Sequence, residues 1–308
     1  MNSSLSNVPD LPLGDKDILV VSDLHMGDGG RRDNFVAFQN GARERAWGRF
    51  LDYVESRNAQ LVVVGDLFEF WQCNLSLVLV KRKAYLDRLG ELKAIYVLGN
   101  HDNDLVGFIE CNMLSHPVFA RMNAGFKARI GGKTFRFLHG HETDPWNSDP
   151  NPNRGRIAAI VAGIAEDKVG GPYSASGESV EKQLEDAAEA AKGLGERILE
   201  WLEHKISPKP GHEGLTPVQK PSLYQEHLLQ MMKLHDEERD SVLVVGHTHK
   251  PGHVADGWYW NSGSWAEKEN DFLEIKPDGS VTGKIWLEDR SEEKNISIDL
   301  PPLDLAKS

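Results

Sequence analysis

Cysteine is nearly absent: the 308-residue chain has two, Cys73 and Cys111. Two thiols make neither a disulfide framework nor, unaided, a structural zinc site, so isolated reduced thiols are expected. Long apolar runs are missing as well, and none approaches the roughly 20 residues that cross a bilayer. Residues 1–16 lack a basic stretch leading into an apolar one, so they read as a flexible lead-in and not as a signal peptide. Positive charge is outnumbered: 35 Lys and Arg stand against 47 Asp and Glu, a formal net charge of −12. General nucleic-acid binders draw affinity from Lys and Arg on phosphates, so nucleic acid is not expected as a partner. A phosphorylated substrate stays open, because bound divalent cations reverse the local field. The remaining composition, 40% hydrophobic and 27% charged, is that of a globular protein with a sizeable core. A cytoplasmic location is the expectation, with peripheral membrane contact left open.

Short apolar runs recur, and each ends in polar residues. Ile18–Val21 leads into Ser22-Asp23, Leu61–Val64 into Gly65-Asp66, and Ile95–Leu98 into Gly99-Asn100. Phe135–Leu138 leads into His139-Gly140-His141, and Val242–Val245 into Gly246-His247. Runs of this length bounded by glycine predict buried strands. Helical spacing predicts a helix over Ala42–Ser56 and another over Leu75–Leu89. Strands alternating with helices imply an α/β sheet, whose ligands collect beyond the strand carboxyl ends. All five polar tags sit there. The stretch 142–240 has little β character. Its periodicity predicts helices over Asn153–Asp167, Glu178–Lys205 and Pro221–Glu238, a helical insertion that would form a lid or an oligomer interface. After Lys250 the pattern is β: Trp258–Trp260, Phe272–Ile275 and Val281–Leu287, with a hairpin turn at Pro277-Asp278-Gly279. Residues 289–308 read as a surface tail, leaving 17–288 as the main domain.

Singly, an Asp-x-His or a Gly-Asp is common. As an ordered set the residues are specific: Asp23-Leu24-His25, Gly65-Asp66, Gly99-Asn100-His101-Asp102, His139-Gly140-His141, and Gly246-His247-Thr248-His249. Carboxylate, imidazole and amide donors without nearby thiolates suit Mn²⁺, Fe or Zn²⁺. This series resembles the calcineurin-like metallophosphoesterase superfamily from about Asp17 to Leu287. The resemblance implies a four-layer αββα sandwich with the helical insertion before the last metal-binding strand. It also implies two divalent metal ions, with Mn²⁺ the first expectation. Asp66 would be their shared carboxylate. Asp23, His25 and His249 would complete one ion, and Asn100, His139 and His247 the other. His247 and His249, two residues apart, could point the same way along an extended backbone. His139 is chosen over His141 because it lies nearer the strand end, as in members of that superfamily, which leaves His141 either supporting a ligand or contacting substrate. By the same resemblance the ions activate a water for in-line attack at phosphorus, His101 protonates the leaving oxygen, and Asp102 orients His101.

Gly65-Asp66-Leu67-Phe68-Glu69-Phe70-Trp71 and the helical insertion further resemble the UDP-2,3-diacylglucosamine diphosphatases. Two positions depart from that pattern: His101 where Arg is usual, and His141 where Asp is usual. The function expected is hydrolysis of a phosphodiester or pyrophosphate bond in a phosphorylated small-molecule or lipid-linked substrate. The alternatives are a phosphomonoesterase, a protein phosphatase, or a non-catalytic metal-binding scaffold. A scaffold would have no use for His101. Arg31 and Arg32 could grip a phosphate, with Trp146, Arg154 and Arg156 as further candidates. Asn261-Ser262-Gly263-Ser264-Trp265 resembles a block that recurs near the site in that subfamily, and a hairpin turn with a core Trp is the favoured reading.

Overall fold

The computed structural model describes residues 8–30, 32–37, 41–110, 116–143, 156, 223–238 and 241–300. Strands β1 (Ile18–Val21), β2 (Gln60–Val64), β3 (Ile95–Val97) and β4 (Met122–Asn123) pair in parallel. On the other side of β1, strands β10 (Asp271–Ile275), β11 (Val281–Leu287) and β12 (Arg290–Glu293) continue the sheet antiparallel. The second sheet is built from β5 (Phe126–Ile130), β6 (Lys133–Phe137), β7 (Ser241–Val245), β8 (Gly252–His253) and β9 (Tyr259–Asn261). Its order is β5-β6-β7-β9-β8, with β6, β7 and β9 parallel.

Side chains of a strand alternate between faces, and here each face finds a different layer. Leu19, Val21, Leu61 and Val63 pack with Trp47, Phe50 and Leu51 of the helix Ala42–Ser56 and with Leu86 and Leu89, between helices and the first sheet. Ile18, Val20, Val62 and Val64 turn the other way and meet Phe126, Phe135, Phe137, Val242 and Val244 between the sheets. Leu243 and Val245 then face Leu228, Met231 and Leu234 of the last helix. Three cores between four layers make the αββα sandwich expected from the sequence.

Five of the helices are α1 (Asn34–Ala37), α2 (Ala42–Ser56), α3 (Leu75–Lys81), α4 (Lys83–Glu91) and α5 (Leu105–Glu110). The sixth, α6 (Leu223–Glu237), closes the predicted insertion. The helix predicted over Leu75–Leu89 is interrupted at Arg82, which is buried. Its Nε donates to the Gly27 carbonyl at 2.8 Å, and its other nitrogens bind Glu44 and Asp33. The lead-in is not free over its described part: Leu11 N–H donates to Lys127 O and Lys127 N–H donates to Pro9 O along β5, each at 2.8 Å, and Leu13 enters the core between the sheets. The tail likewise begins as a strand, since β12 pairs with β11. The helices predicted over Asn153–Asp167 and Glu178–Lys205 lie outside the described residues, apart from Arg156. Among the described residues no helix is long and apolar enough to cross a membrane.

Candidate metal centre

The carboxyl ends of β1, β2 and β3 in one sheet, and of β6 and β7 in the other, converge. The loops after β1 and β2 run side by side, with Asp23 N–H donating to Gly65 O at 3.1 Å, His25 N–H to Asp66 O at 3.0 Å and Met26 N–H to Leu67 O at 2.9 Å. Asp23, His25, Asp66, His247 and His249 all take left-handed backbone angles, with φ between 47° and 67°. Each such residue costs on the order of 1–3 kcal/mol and persists where the surroundings impose it. Five of them among seven expected ligands place the strain on the site. The expectation that His247 and His249 share a direction along an extended backbone therefore fails. Both are turn residues, and they serve opposite sides of the cluster.

On one side His249 Nε2 lies 3.3 Å from Asp23 Oδ1 and 3.2 Å from His25 Nε2. On the other, His139 Nε2 lies 3.1 Å from Asp66 Oδ2 and 3.1 Å from Asn100 Oδ1. Donor atoms of Asp23, His25 and His249 fall within 4.8 Å of one another, and so do those of Asp66, His139 and His247. His25, Asp66 and His101 form a third such group. The structure thus brings together all seven expected ligands, with Asp66 between the two sides. His139 holds the central place. The His141 ring is 5.4 Å from that of His139 and 6.4 Å from that of His247. Burial with little compensating charge pushes the His141 imidazole down to about 4, so it stands there neutral.

Glycine is required where the two loops meet. A side chain at Gly65 would fall on the His139 ring, and one at Gly99 on the Asp66 carboxylate. Both carboxylates are fully buried. Burial opposes their ionisation, yet His249 and His139 hold Asp23 below the usual carboxylate range, and His139 and His101 hold Asp66 well below it. The reciprocal effect is on the imidazoles: against burial, Asp66 raises His139 to about 10 and Asp23 raises His249 to about 10. Protons on these rings take the place that cationic charge would hold. The donors fit a divalent pair: Asp23 Oδ1 is buried and accepts no hydrogen bond, and the His25 and His249 Nε2 atoms point at the same space.

Glu69 is the residue sequence reading missed. It is buried, and its Oε2 lies 2.7 Å from His101 Nδ1 and 3.2 Å from His25 Nδ1. Its Oε1 accepts from the backbone of Trp71 at 2.9 Å and Gln72 at 3.0 Å. Burial works against its charge, but His101 and His25 keep the carboxyl far below its ordinary range. The Trp71 indole stacks on the His101 ring with centroids 3.8 Å apart. Glu69, not Asp102, therefore orients His101. The Asp102 carboxylate accepts instead from Leu67 N–H at 2.8 Å, from Gly99 N–H at 2.7 Å and from the Tyr96 hydroxyl. A Glu three residues after Asp66 was the available signal.

The remaining candidates fare unevenly. Arg32 sits half-buried in the turn between Gly30 and Asp33, while Arg31, Trp146 and Arg154 lie outside the described residues. Arg156 pairs with Asp104 at 3.1 Å, two residues beyond Asp102. Asn261–Trp265 is more than a turn. Ser22 Oγ meets Ser262 Oγ at 2.7 Å, Ser264 Oγ donates to Asp23 O at 3.1 Å, and Asn261 Nδ2 donates to Gly246 O at 2.8 Å. The segment ties the loops of the two sheets together behind the ligands.

Comparison with known family profiles agrees with this set of residues. The profile of the calcineurin-like phosphoesterase family matches residues 16–251. A dimetal phosphatase from Danio rerio is a structural neighbour at 13% identity and a TM-score of 0.46, with 91% of this chain and 98% of that one covered. No curated protein matches the chain significantly. The chain belongs to the calcineurin-like phosphoesterase family, and its His/Asp cluster is a divalent dimetal centre of a metal-dependent phosphoesterase.

Proposed function

We propose that the chain hydrolyses a phosphodiester or pyrophosphate bond with two Mn²⁺ ions, using His101 as the acid that protonates the leaving oxygen. Two divalent ions held by Asp23, His25, Asp66, Asn100, His139, His247 and His249 would supply an activated water and offset charge on the phosphoryl oxygens. The observation that carries the reading is the placement of His101. Its backbone N–H donates to Asp66 Oδ1 at 2.9 Å, so the ring starts from the shared carboxylate. Glu69 takes Nδ1 at 2.7 Å and leaves Nε2 to carry the transferable proton. Burial favours the neutral ring, but Glu69 and Asp66 outweigh it and raise the imidazole above its ordinary value. The shift is toward the proton-carrying form that a general acid needs. A site built only to hold metal would not need this residue.

One observation favours an amphiphilic substrate of the UDP-diacylglucosamine kind. Helix α3 begins four residues beyond Trp71 and exposes Leu77 and Val80, the latter 73% exposed. Exposed apolar side chains this close in sequence to the Asp66–Trp71 block would suit a lipid tail.

Metal-stripped protein given Mn²⁺ should hydrolyse bis-p-nitrophenyl phosphate, and His101→Ala should lower turnover by about 10²–10⁴-fold, the range of general acid catalysis. The deficit should be larger for a diester with a phenyl leaving group, which needs protonation more than p-nitrophenolate does. Glu69→Gln should reproduce part of it. Equal deficits for both leaving groups would sink the acid assignment, and Mn²⁺-independent turnover would sink the metal one.

A further inference from the structure

The imidazoles of the cluster are not backed alike. His139 Nδ1 rests on a neutral acceptor, the Val64 carbonyl, at 2.8 Å. His249 Nδ1 lies instead 3.3 Å from Glu267 Oε1, as His25 Nδ1 lies 3.2 Å from Glu69. Glu267 belongs to none of the five motif blocks, and a specific chain of contacts delivers it. Trp265 N–H and Ser264 Oγ both bind the Asp23 carbonyl, at 3.2 and 3.1 Å. Ala266 N–H turns back onto Ser264 Oγ at 2.8 Å, so the chain bends and Glu267 emerges beside His249. The Glu267 carbonyl accepts a hydrogen bond from Arg43 Nη2, a side chain of α2 that is 2% exposed.

We infer that Glu267 is a positioning residue for His249: it fixes the ring with Nε2 toward the Asp23 side of the cluster and strengthens that nitrogen as a donor, while Arg43 anchors Glu267. The inference rests on the dimetal reading above. A metal-ligating imidazole that donates its other N–H to a carboxylate is held in one tautomer and is a better donor than one facing a neutral carbonyl. Both imidazoles on the Asp23 side are backed by glutamate. The Asp66–Asn100–His139 side has an amide ligand and a carbonyl-backed imidazole. The two ion positions are therefore unequal, and the Asp23 side fills first and more tightly.

Calorimetric titration of Mn²⁺ into the metal-stripped full chain tests this. Wild type should take up two ions in a tight and a looser step. Glu267→Gln keeps the size and removes the charge. It should weaken the tight step about 10–100-fold, the usual cost of losing such a partner. The loose step should stay unchanged, and the metal-free variant should still melt cooperatively. Glu267→Asp should weaken the tight step less, because the charge remains on a shorter arm. Unchanged affinities in Glu267→Gln, or equal weakening of both steps, would overturn the inference, as would one common affinity in wild type. If Glu267→Gln does not fold, Glu267→Asp decides: a weakened tight step supports the role and an unchanged one overturns it. No Mn²⁺ uptake by wild type would instead remove the dimetal reading, and this inference with it.

Discussion

Asp102 shows how a side chain in a motif can serve the fold more than the reaction. It is fully buried, and burial together with the neighbouring Asp66 charge pushes its carboxyl up to about 7. It tolerates that position because four donors converge on it, from Leu67, Phe68, Gly99 and Tyr96. Leu67 and Gly99 are the neighbours of the ligands Asp66 and Asn100, so the carboxylate clamps two ligand loops together. Asp102→Ala would leave these buried donors without their acceptor, at about 1–3 kcal/mol for each one left unpaired. A loss of roughly 3 kcal/mol or more is expected in urea denaturation, with activity falling as the fold loosens. Intact stability with lost activity would restore Asp102 to the role of orienting His101. At this scale the ligands were legible, since each follows an apolar run and carries its own chemical type. Side-chain partnerships across tens of residues were not. Nothing in the spacing of Glu69 and His101, or of Glu267 and His249, states which oxygen meets which ring.

Among elements, the break between α3 and α4 marks where the helical layer grips the site. Apolar periodicity through Leu75–Leu89 is continuous, so the sequence reads as one helix. The interruption comes from Arg82, whose guanidinium turns inward to Gly27, Asp33 and Glu44. Asp33 is fully buried and also accepts from the backbone of Gly29 at 2.7 Å, within the loop that follows His25. Arg82→Ala would take the guanidinium from that carboxylate and leave it its backbone donors, and removing one partner of a buried pair costs about 3–5 kcal/mol. Arg82→Lys should recover only part of it, because an ammonium cannot serve three acceptors in a fixed fork. A loss under about 1 kcal/mol on denaturation would show that the loop stands without the arginine. The same contrast explains which strands were legible. β1 is an unbroken apolar run buried on both faces, and β2 and β7 are such runs after a polar first residue. β5 alternates Phe126, Ala128 and Ile130 inward with Lys127 and Arg129 between them, a half-buried pattern that a search for apolar runs passes over. β12 is polar throughout and lies at the sheet edge, where charge guards against further pairing.

The whole molecule is two sheets whose loops meet at one cluster, so metal and fold are linked. Asp23, Asp66 and Asn100 follow strands of the seven-stranded sheet, and His139, His247 and His249 follow strands of the five-stranded one. Ions bound among them cross-link the sheets, and a ligand that binds only the folded state stabilises it by about 2.7 kcal/mol at a hundred times its dissociation constant. Chelation should therefore lower the melting midpoint by roughly 5 °C or more. The pH dependence follows from His139 and His249, both raised to about 10 in the metal-free fold. A group whose pKa is raised on folding stabilises the fold fully below its unfolded value of about 6.5. That contribution shrinks as pH rises above this value and is gone once pH passes about 10. Over the same interval the protons that compete with metal are removed, so metal binds better. The metal-free protein thus loses the charge that balances Asp23 and Asp66 while the metal-loaded protein gains it. The midpoint difference between Mn²⁺-loaded and chelated protein should widen steadily from pH 6.5 to pH 9 by differential scanning calorimetry, values that bracket the onset of this loss. A difference that stays flat or narrows across that range would mean that protonated imidazoles do not hold the metal-free cluster together.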